Sequence, residues 1–315
     1  MKASFYLATI VVLLAGFGSA LAENYPQRPI RVLTGAPGGG GDFAARIIAQ
    51  GLTASFGQQV IVDNRGGVLP IEIGSKAPPD GYTLVLDGAS LWIEPLIRKT
   101  SYEVDKDFAL VMLALSSPNV LAVPAALAIG SAKDLIALAK AKPGELNYSS
   151  GSLGTTGHLA GELFRAMAGV NIQHVKYKGT GPAINALMGN EVQLSFATPA
   201  VMLPHVKSGR LKGLAVTSAE PSALAPGLPT LSSALPGYEA VSLYGIFAPA
   251  GTPPTVIARI NQEIARTLDL PETRLRLFSI GLEPIAGNIV NSARLLKAEI
   301  AKWRKVIKDA GISGD

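Results

Sequence analysis

Two glycine-rich segments are placed where a backbone could do chemistry. One runs Gly35-Ala36-Pro37-Gly38-Gly39-Gly40-Gly41-Asp42, the other Ser149-Ser150-Gly151-Ser152-Leu153-Gly154-Thr155-Thr156-Gly157-His158. Each follows a short apolar run and precedes a helical pattern, so each should set glycines at a helix N-terminus. The first backbone N–H groups of a helix have no intrahelical partner, and that end carries a partial positive charge. Glycine removes the Cβ that would hold a ligand away. The combination suits an anion. The second segment adds hydroxyls from Ser150, Ser152, Thr155 and Thr156. Either loop alone is an ordinary connector. Together, one in each half, they could close on a small carboxylate, each charge-assisted bond contributing about 1.5–3 kcal/mol.

Other chemistries can be weighed on the same residues. A P-loop would end in Gly-Lys-Ser/Thr, but Gly41 is followed by Asp42 and Phe43. A dinucleotide loop is matched only through glycine excess, although Asp63 stands about where a ribose-binding acid would end the next strand. An exported or atypical glycine-loop dehydrogenase therefore stays open. Ser150 with His158 offers a nucleophile and a base without the G-x-S-x-G elbow, so a secreted hydrolase is the other enzyme alternative. His158 is expected to pack or cap at its helix start. His174 and His205 lack partners at metal spacing and read as structural. Arg65 and Lys178 either add positive charge near a cleft or are solvated. Tyr25, Trp92 and Tyr244 could reach a ligand, with Trp92 and Tyr244 better suited to a core. No residue pattern asks for a metal or cofactor.

The elements that must position these residues follow from periodicity. Arg28 to Thr34 is a strand, and Asp42 to about Phe56 a helix with Phe43, Ile47, Ile48 and Leu52 as its apolar stripe. Strands follow at Gln59–Asp63 and Tyr82–Leu86. Pro118 to Pro124 looks like a connection into a second unit. A helix at Ser131–Lys142 opens that unit, with Ser131 and Asp134 as capping acceptors. Then come a strand at Glu145–Ser149 and a helix to about Ala168, burying Leu159, Leu163, Phe164 and Met167. Further strands are expected at Gln173–Tyr177, Val192–Ala197 and Gly213–Thr217, with helices at Pro182–Met188 and Pro199–Ser208. Pro221 to Pro236 suggests a surface excursion. Ser242–Pro249 is a strand, a long helix starts near Pro253, and Ile289–Ala310 is a helix burying Leu295, Leu296, Ile300, Trp303 and Ile307. This alternation is α/β, with mostly parallel sheets and a second half that repeats the plan without repeating the sequence.

Composition bounds the classes. The 315 residues contain 28 Lys+Arg, 23 Asp+Glu, 3 His and no Cys. Disulfides, thiolate metal sites, a cysteine nucleophile and a lipidated N-terminal cysteine are thereby excluded. Apolar residues at 48% and charged ones at 16% describe a core-rich chain. A net charge of +5 makes no case for nucleic acid. Lys2, the apolar run Phe5 to Phe17 and the small residues of Ser19-Ala20-Leu21-Ala22 form the layout of a secretory signal peptide, residues 1–22, cut before Glu23. The rest should be exported and, lacking another long apolar run, soluble.

The sequence also resembles a family along its length. Tyr25-Pro26-x-Arg28-Pro29-Ile30 and Pro37-Gly38-Gly39-Gly40-Gly41-Asp42-x-x-Ala45-Arg46 are similar to the N-terminus of the tripartite tricarboxylate transporter substrate-binding receptors, the Bug family. The likeness continues in Gly57-Gln58-x-Val60-Ile61-Val62-Asp63-Asn64-Arg65, Pro79-Asp80-Gly81-Tyr82-Thr83-Leu84, His158-Leu159-Ala160-Gly161-Glu162-Leu163-Phe164 and Gly245-x-Phe247-Ala248-Pro249-Ala250-Gly251. The resemblance implies a non-catalytic, monomeric periplasmic receptor with a two-lobe, type II periplasmic-binding-protein-like architecture and a ligand cleft between lobes. It implies lobe 1 from residues 23–122 and 240–315, and lobe 2 from 123–239. The implied ligand is a small organic carboxylate and the implied partners are integral-membrane transporter subunits. The implied site is Pro37, Gly38, Gly39, Gly40, Gly41 and Asp42; Asp87 and Ser90; Ser150, Gly151, Ser152, Gly154, Thr155 and Thr156; and Ala197 and Thr198.

Two departures qualify that site. Where the family has a glycine-rich stretch after Asn64-Arg65, this chain has Gly66-Gly67-Val68-Leu69-Pro70-Ile71 and is shorter up to Asp80, so one wall should be remodelled and more apolar. Where many members have Asp after the strand ending at Phe196, this chain has Ala197-Thr198. Both suggest a carboxylate with an apolar or aromatic body rather than an amino acid.

Overall fold

The computed structural model describes residues 25–38, 40–151, 154–285 and 289–312. The expected signal peptide, Gly39 and Ser152 lie outside the described residues. The chain is α/β and forms two lobes, each built on one sheet. The first sheet has the order β11-β4-β10-β3-β1-β2, from β1 (Ile30–Thr34), β2 (Val60–Asn64), β3 (Thr83–Asp87), β4 (Phe108–Pro118), β10 (Val241–Pro249) and β11 (Glu283–Pro284). The second has the order β7-β6-β8-β5-β9, from β5 (Val120–Pro124), β6 (Asn147–Ser150), β7 (Gln173–Lys176), β8 (Leu194–Ala197) and β9 (Leu211–Val216).

Both lobes contain the same β-α-β-α-β unit with its first strand in the middle. In lobe 1, β1 pairs in parallel with β2 and β3, connected by α1 (Gly40–Phe56) and α2 (Leu69–Ser75). In lobe 2, β6 pairs in parallel with β7 and β8, connected by α6 (Thr156–Ala168) and α7 (Thr180–Met188). The sheets are mixed rather than mostly parallel, because β10 runs antiparallel to β3 and β4, and β5 antiparallel to β8 and β9. These antiparallel strands carry the chain between lobes. The segment from Pro118 to Pro124, expected as a connection, is the end of β4 followed by all of β5, with Asn119 between them.

The two crossings are tied together at that residue. Asn119 N–H donates to Thr217 Oγ1 at 2.7 Å, Thr217 N–H donates to Asn119 O at 2.9 Å, and Thr217 Oγ1 donates to Ala240 O at 2.7 Å. All are buried, so these groups of the two crossings are satisfied within the protein. Helices α3 (Ser90–Ile97), α4 (Val104–Asp107), α5 (Ala132–Ala141), α8 (Pro199–Lys207), α9 (Pro254–Asp269), α10 (Pro271–Ser279) and α11 (Ile289–Ala310) complete the layers. Ser131 caps α5, accepting from Asp134 N–H at 3.1 Å, as its sequence position suggests.

Three expected core residues are instead exposed: Phe43 at 44%, Met167 at 38% and Leu295 at 39%. In each case a neighbour holds the inward position. Ala44 and Ala45 let α1 approach its sheet closely, Ala168 does so at the end of α6, and Leu296 begins the buried row of α11. The stretch from Pro221 to Pro236 is not a mere surface excursion, since Leu224, Ala225, Leu231 and Leu235 are buried and Val216 N–H donates to Pro229 O at 2.8 Å. Helices α2, α3, α4 and α10 and strands β4 and β11 had no expectation from sequence.

The core under the second glycine loop is tight. A Cβ at Gly161 would lie 2.2 Å from Tyr148 Cε2, and Tyr148 is fully buried with its hydroxyl donating to Glu162 Oε1 at 2.6 Å. Gly161→Ala is therefore expected to destabilise by about 1–3 kcal/mol through overpacking. A melting curve should show Tm lowered by roughly 5 °C. An unchanged Tm would mean that the Tyr148 ring can yield.

Candidate functional site

The loops that follow parallel strands in both lobes line one cavity of about 900 Å³. Five helices of eight residues or more begin at its wall: α1 at Gly40, α3 at Ser90, α6 at Thr156, α7 at Thr180 and α8 just after Thr198. Ligand sites in open α/β sheets fall at this carboxyl edge of the strands. Converging helix N-termini give such a cavity a positive potential without cationic side chains. Arg98 is the only cationic side chain among the described lining residues.

The first glycine loop is organised by Asp42. Its carboxylate accepts from Gly38 N–H at 2.9 Å and from Asn64 Nδ2 at 2.9 Å, and pairs with Arg46 at 2.9 Å. Burial works to raise this carboxyl, but the Gly38 amide, Asn64 and Arg46 together hold it below the ordinary range. Gly38 adopts φ +84°, which glycine reaches without strain. Asp42 thus shapes the loop and, like Pro37, is absent from the lining, whereas Gly38, Gly40 and Gly41 belong to it.

Two side chains add hydroxyls to this wall. Tyr244 on β10 lines the cavity, and its hydroxyl forms no hydrogen bond with a described residue. A Cβ at Gly40 would lie 2.8 Å from that hydroxyl, so the bare glycine lets Tyr244 sit against the start of α1. Burial pushes the Tyr244 phenol up to about 12, so it is a neutral donor. Thr34, at the end of β1, is fully buried and its Oγ1 has no hydrogen-bond partner, yet it lines the same cavity. Such orphaned buried groups are rare in proteins. Here the second lies 3.3 Å from where a Gly41 Cβ would be.

The second loop is held from behind by histidines. Gly154 N–H donates to His158 Nδ1 at 3.2 Å, and Thr155 caps α6 by accepting from His158 N–H. The His158 ring packs 4.4 Å from that of His174, which in turn contacts Ser150 Oγ through Nε2 at 2.7 Å. Burial, then the neighbouring His174, pulls His158 down to about 3; burial, then Lys176, pulls His174 down to about 4. Both imidazoles are neutral at ordinary pH, and His158, a nitrogen acceptor toward Gly154, packs and caps as its position at a helix start suggested. A Cβ at Gly151 would meet the Gly179–Thr180 backbone at 2.9 Å, so this loop lies directly on the one that opens α7.

The wall made by α3 is different in kind. Asp87 accepts from the Ser90 hydroxyl and from the backbone N–H groups of Gly88 and Leu91. Burial pushes its carboxyl up to about 6, against the pull of these donors. Glu94, one turn on, pairs with Arg98, and its Oε2 is buried without a partner.

Of the residues expected at the site, Gly38, Gly40, Gly41, Asp87, Ser90, Ser150, Gly151, Gly154, Thr155, Thr156, Ala197 and Thr198 line the one cavity. The remodelled segment contributes Gly67 and Val68. Sequence reasoning missed Thr34, Glu94, Arg98, Thr180 and Ser242, and placed Tyr244 with the core. A position at the carboxyl end of a parallel strand would have signalled Thr34. Tyr25 and Trp92 are buried away from the cavity, and neither Arg65 nor Lys178 lines it. Among the described residues no three His, Asp or Glu side chains are grouped to hold a metal ion, and no helix is long and apolar enough to cross a membrane.

Comparison with known proteins agrees with this geometry. Residues 44–312 match the family described as the tripartite tricarboxylate transporter family receptor. The chain is 33% identical to Protein BugT of Bordetella pertussis over 97% of both chains. Among solved structures, the R. palustris protein Rpa4515 with adipate superposes with a TM-score of 0.82 at 35% identity, covering 92% of this chain and 99% of that one. MatC from Rhodopseudomonas palustris with bound malate gives 0.78 at 27% identity, covering 90% of this chain and all of the other.

Proposed function

The chain belongs to the tripartite tricarboxylate transporter receptor family, and from that premise we propose that it is a periplasmic receptor that binds a small carboxylate and delivers it to the integral-membrane subunits of a tripartite transporter. Residues 1–22 are removed on export. Residues 23–122 and 240–315 form one lobe, 123–239 the other, and the receptor works as a monomer without catalysis. The paired crossings at Asn119 and Thr217 support closure of the two lobes about that point.

One observation carries this reading. The cavity wall at α1 presents backbone N–H groups, the Tyr244 hydroxyl and the Thr34 hydroxyl, and the buried Thr34 hydroxyl has no partner among the described residues. These are donors arranged for a carboxylate. The neighbours holding adipate and malate support the same ligand class. The pairing of Ser150 with His174 gives less support to a hydrolase, because burial first, then Lys176, holds His174 near 4, a poor value for a general base at neutral pH.

Calorimetry with dicarboxylic, tricarboxylic and aromatic acids tests the proposal. Tyr244→Phe is expected to raise Kd about tenfold for the acid that binds, the loss of one hydrogen bond to a charged group. Unchanged affinity in Tyr244→Phe and Thr34→Val alike would remove the α1 wall as the site.

A further inference from the structure

The cavity is polarised. At the α1 wall the free groups are donors: the first amides of the helix, Tyr244 and Thr34. At the α3 wall the place an anion would take is already filled by the chain's own Asp87, which uses the Ser90 hydroxyl and the Gly88 and Leu91 amides. Apart from the Arg98 guanidinium, which is paired with Glu94, what this wall has left to offer is acceptors. Asp87 and Glu94 both line the cavity. Glu94 Oε1 is paired with Arg98, and Glu94 Oε2 is buried and unpartnered.

The charged and titratable groups around Asp87, the last residue of β3, are Glu94 on α3, Arg98 at the end of that helix, Tyr102 beyond it, and Tyr244 from β10. The two tyrosines are neutral, so the wall holds two carboxylates against one guanidinium. A second carboxylate of a ligand is repelled there. A group bearing N–H or O–H is welcomed, because it supplies the donor that Glu94 Oε2 lacks and neutralises or hydrogen-bonds the acids.

We infer that the ligand is a carboxylic acid whose carbon chain carries an amino or hydroxyl group, received by Asp87 and Glu94 while its carboxylate lies against the start of α1. The inference rests on the receptor reading and narrows its ligand. It differs from the expectation of an apolar or aromatic body, drawn from Gly66 to Ile71 and from Ala197 and Thr198, because it takes in the acceptors of the α3 wall as well.

The test uses matched acids of three chain lengths on the purified receptor. Succinate is compared with aspartate and malate, glutarate with glutamate and 2-hydroxyglutarate, and adipate with 2-aminoadipate and 2-hydroxyadipate. At least one substituted acid should bind about tenfold or more tighter than its parent, since a buried acceptor left unpaired discriminates against the analogue that lacks the donor. The amino and hydroxyl arms identify which donor is used. In an Asp87→Asn/Glu94→Gln variant, checked for folding by its melting curve, that preference should fall to about twofold or less while the parent acid keeps or gains affinity. Parent acids binding as tightly as all substituted ones would overturn the inference and leave the receptor reading standing. So would a double variant that keeps the preference. Binding of none of the nine acids would overturn the inference, and would remove the receptor reading with it if the tricarboxylic and aromatic acids also failed to bind.

Discussion

Gly40→Ala is expected to weaken ligand binding about a hundredfold and to leave the free protein's melting temperature within a few degrees. The new methyl would lie 2.8 Å from the Tyr244 hydroxyl and 3.4 Å from its Cζ. The methyl cannot move, because it is fixed to the first residue of α1, so the tyrosine must swing away. That displacement costs the hydroxyl donor and leaves a ring intruding on the cavity. The two effects add to about 2.7 kcal/mol, a hundredfold in Kd. Alanine at the start of a helix is intrinsically favourable, which is why stability should hardly change. The mechanism is tested by a double-mutant cycle. In a Tyr244→Phe background the hydroxyl is gone and the remaining ring carbon is at ordinary contact distance, so Gly40→Ala should then cost only a few-fold. Equal cost in both backgrounds would mean that the methyl acts on the ligand directly and not through Tyr244.

Asp87→Asn should stabilise the free protein above pH 7, and the gain should disappear as the pH falls toward 4. Burial lifts the Asp87 carboxyl from 3.8 to about 6 in the folded protein, with Ser90, Gly88 and Leu91 pulling it back down and Glu94 pushing further up. Between those values the native state binds more protons than the unfolded chain, so this group makes stability fall as pH rises through the window. Below about 4 both states are protonated and the group contributes nothing. Above about 6 the native carboxylate is ionised at its full burial penalty. At 1.36 kcal/mol per pKa unit the difference is about 3 kcal/mol, and asparagine, neutral throughout, escapes it. Chemical denaturation of both proteins at pH 4.5 and pH 7.5 measures the effect. A variant less stable than the parent at pH 7.5 would show that the capping role of the carboxylate outweighs its burial. The same ionised group is the acceptor assigned to the ligand's amino or hydroxyl function. The receptor would then carry an unfavourable charge when free that its ligand relieves, a common exchange of stability for recognition.

Much of the fold could be read from periodicity because most of its signals are local. A strand of branched apolar residues, a glycine turn and a helix with one apolar face identify β1–α1 and β6–α6, and Ser131 caps α5 through a bond to a residue three positions on. Local signals fail where a partner far along the chain decides. Val120 to Pro124 is a strand because β8 and β9 pair with it on either side. Phe43 faces solvent because Ala44 and Ala45 take the inward face of α1. Asp42 belongs to the glycine loop by sequence, but its carboxylate is consumed by Gly38, Asn64 and Arg46 and never reaches the cavity.

The sequence by itself determined the family, the α/β repeat and the presence of two anion-suited glycine loops, because each is written in contiguous residues whose spacing sets backbone geometry. Only the tertiary structure decided which side chains face the ligand and with what polarity. Tyr244 comes from a strand some two hundred residues beyond the glycine it rests against, and it reaches Gly40 only because β10 returns beside β3. Asp87 and Glu94 form an acidic wall because burial and helix α3 bring them to the same cavity. A donor or an acceptor acquires its role in recognition from what else is within reach of it, and reach across a sheet is set by strand order, which no local pattern records.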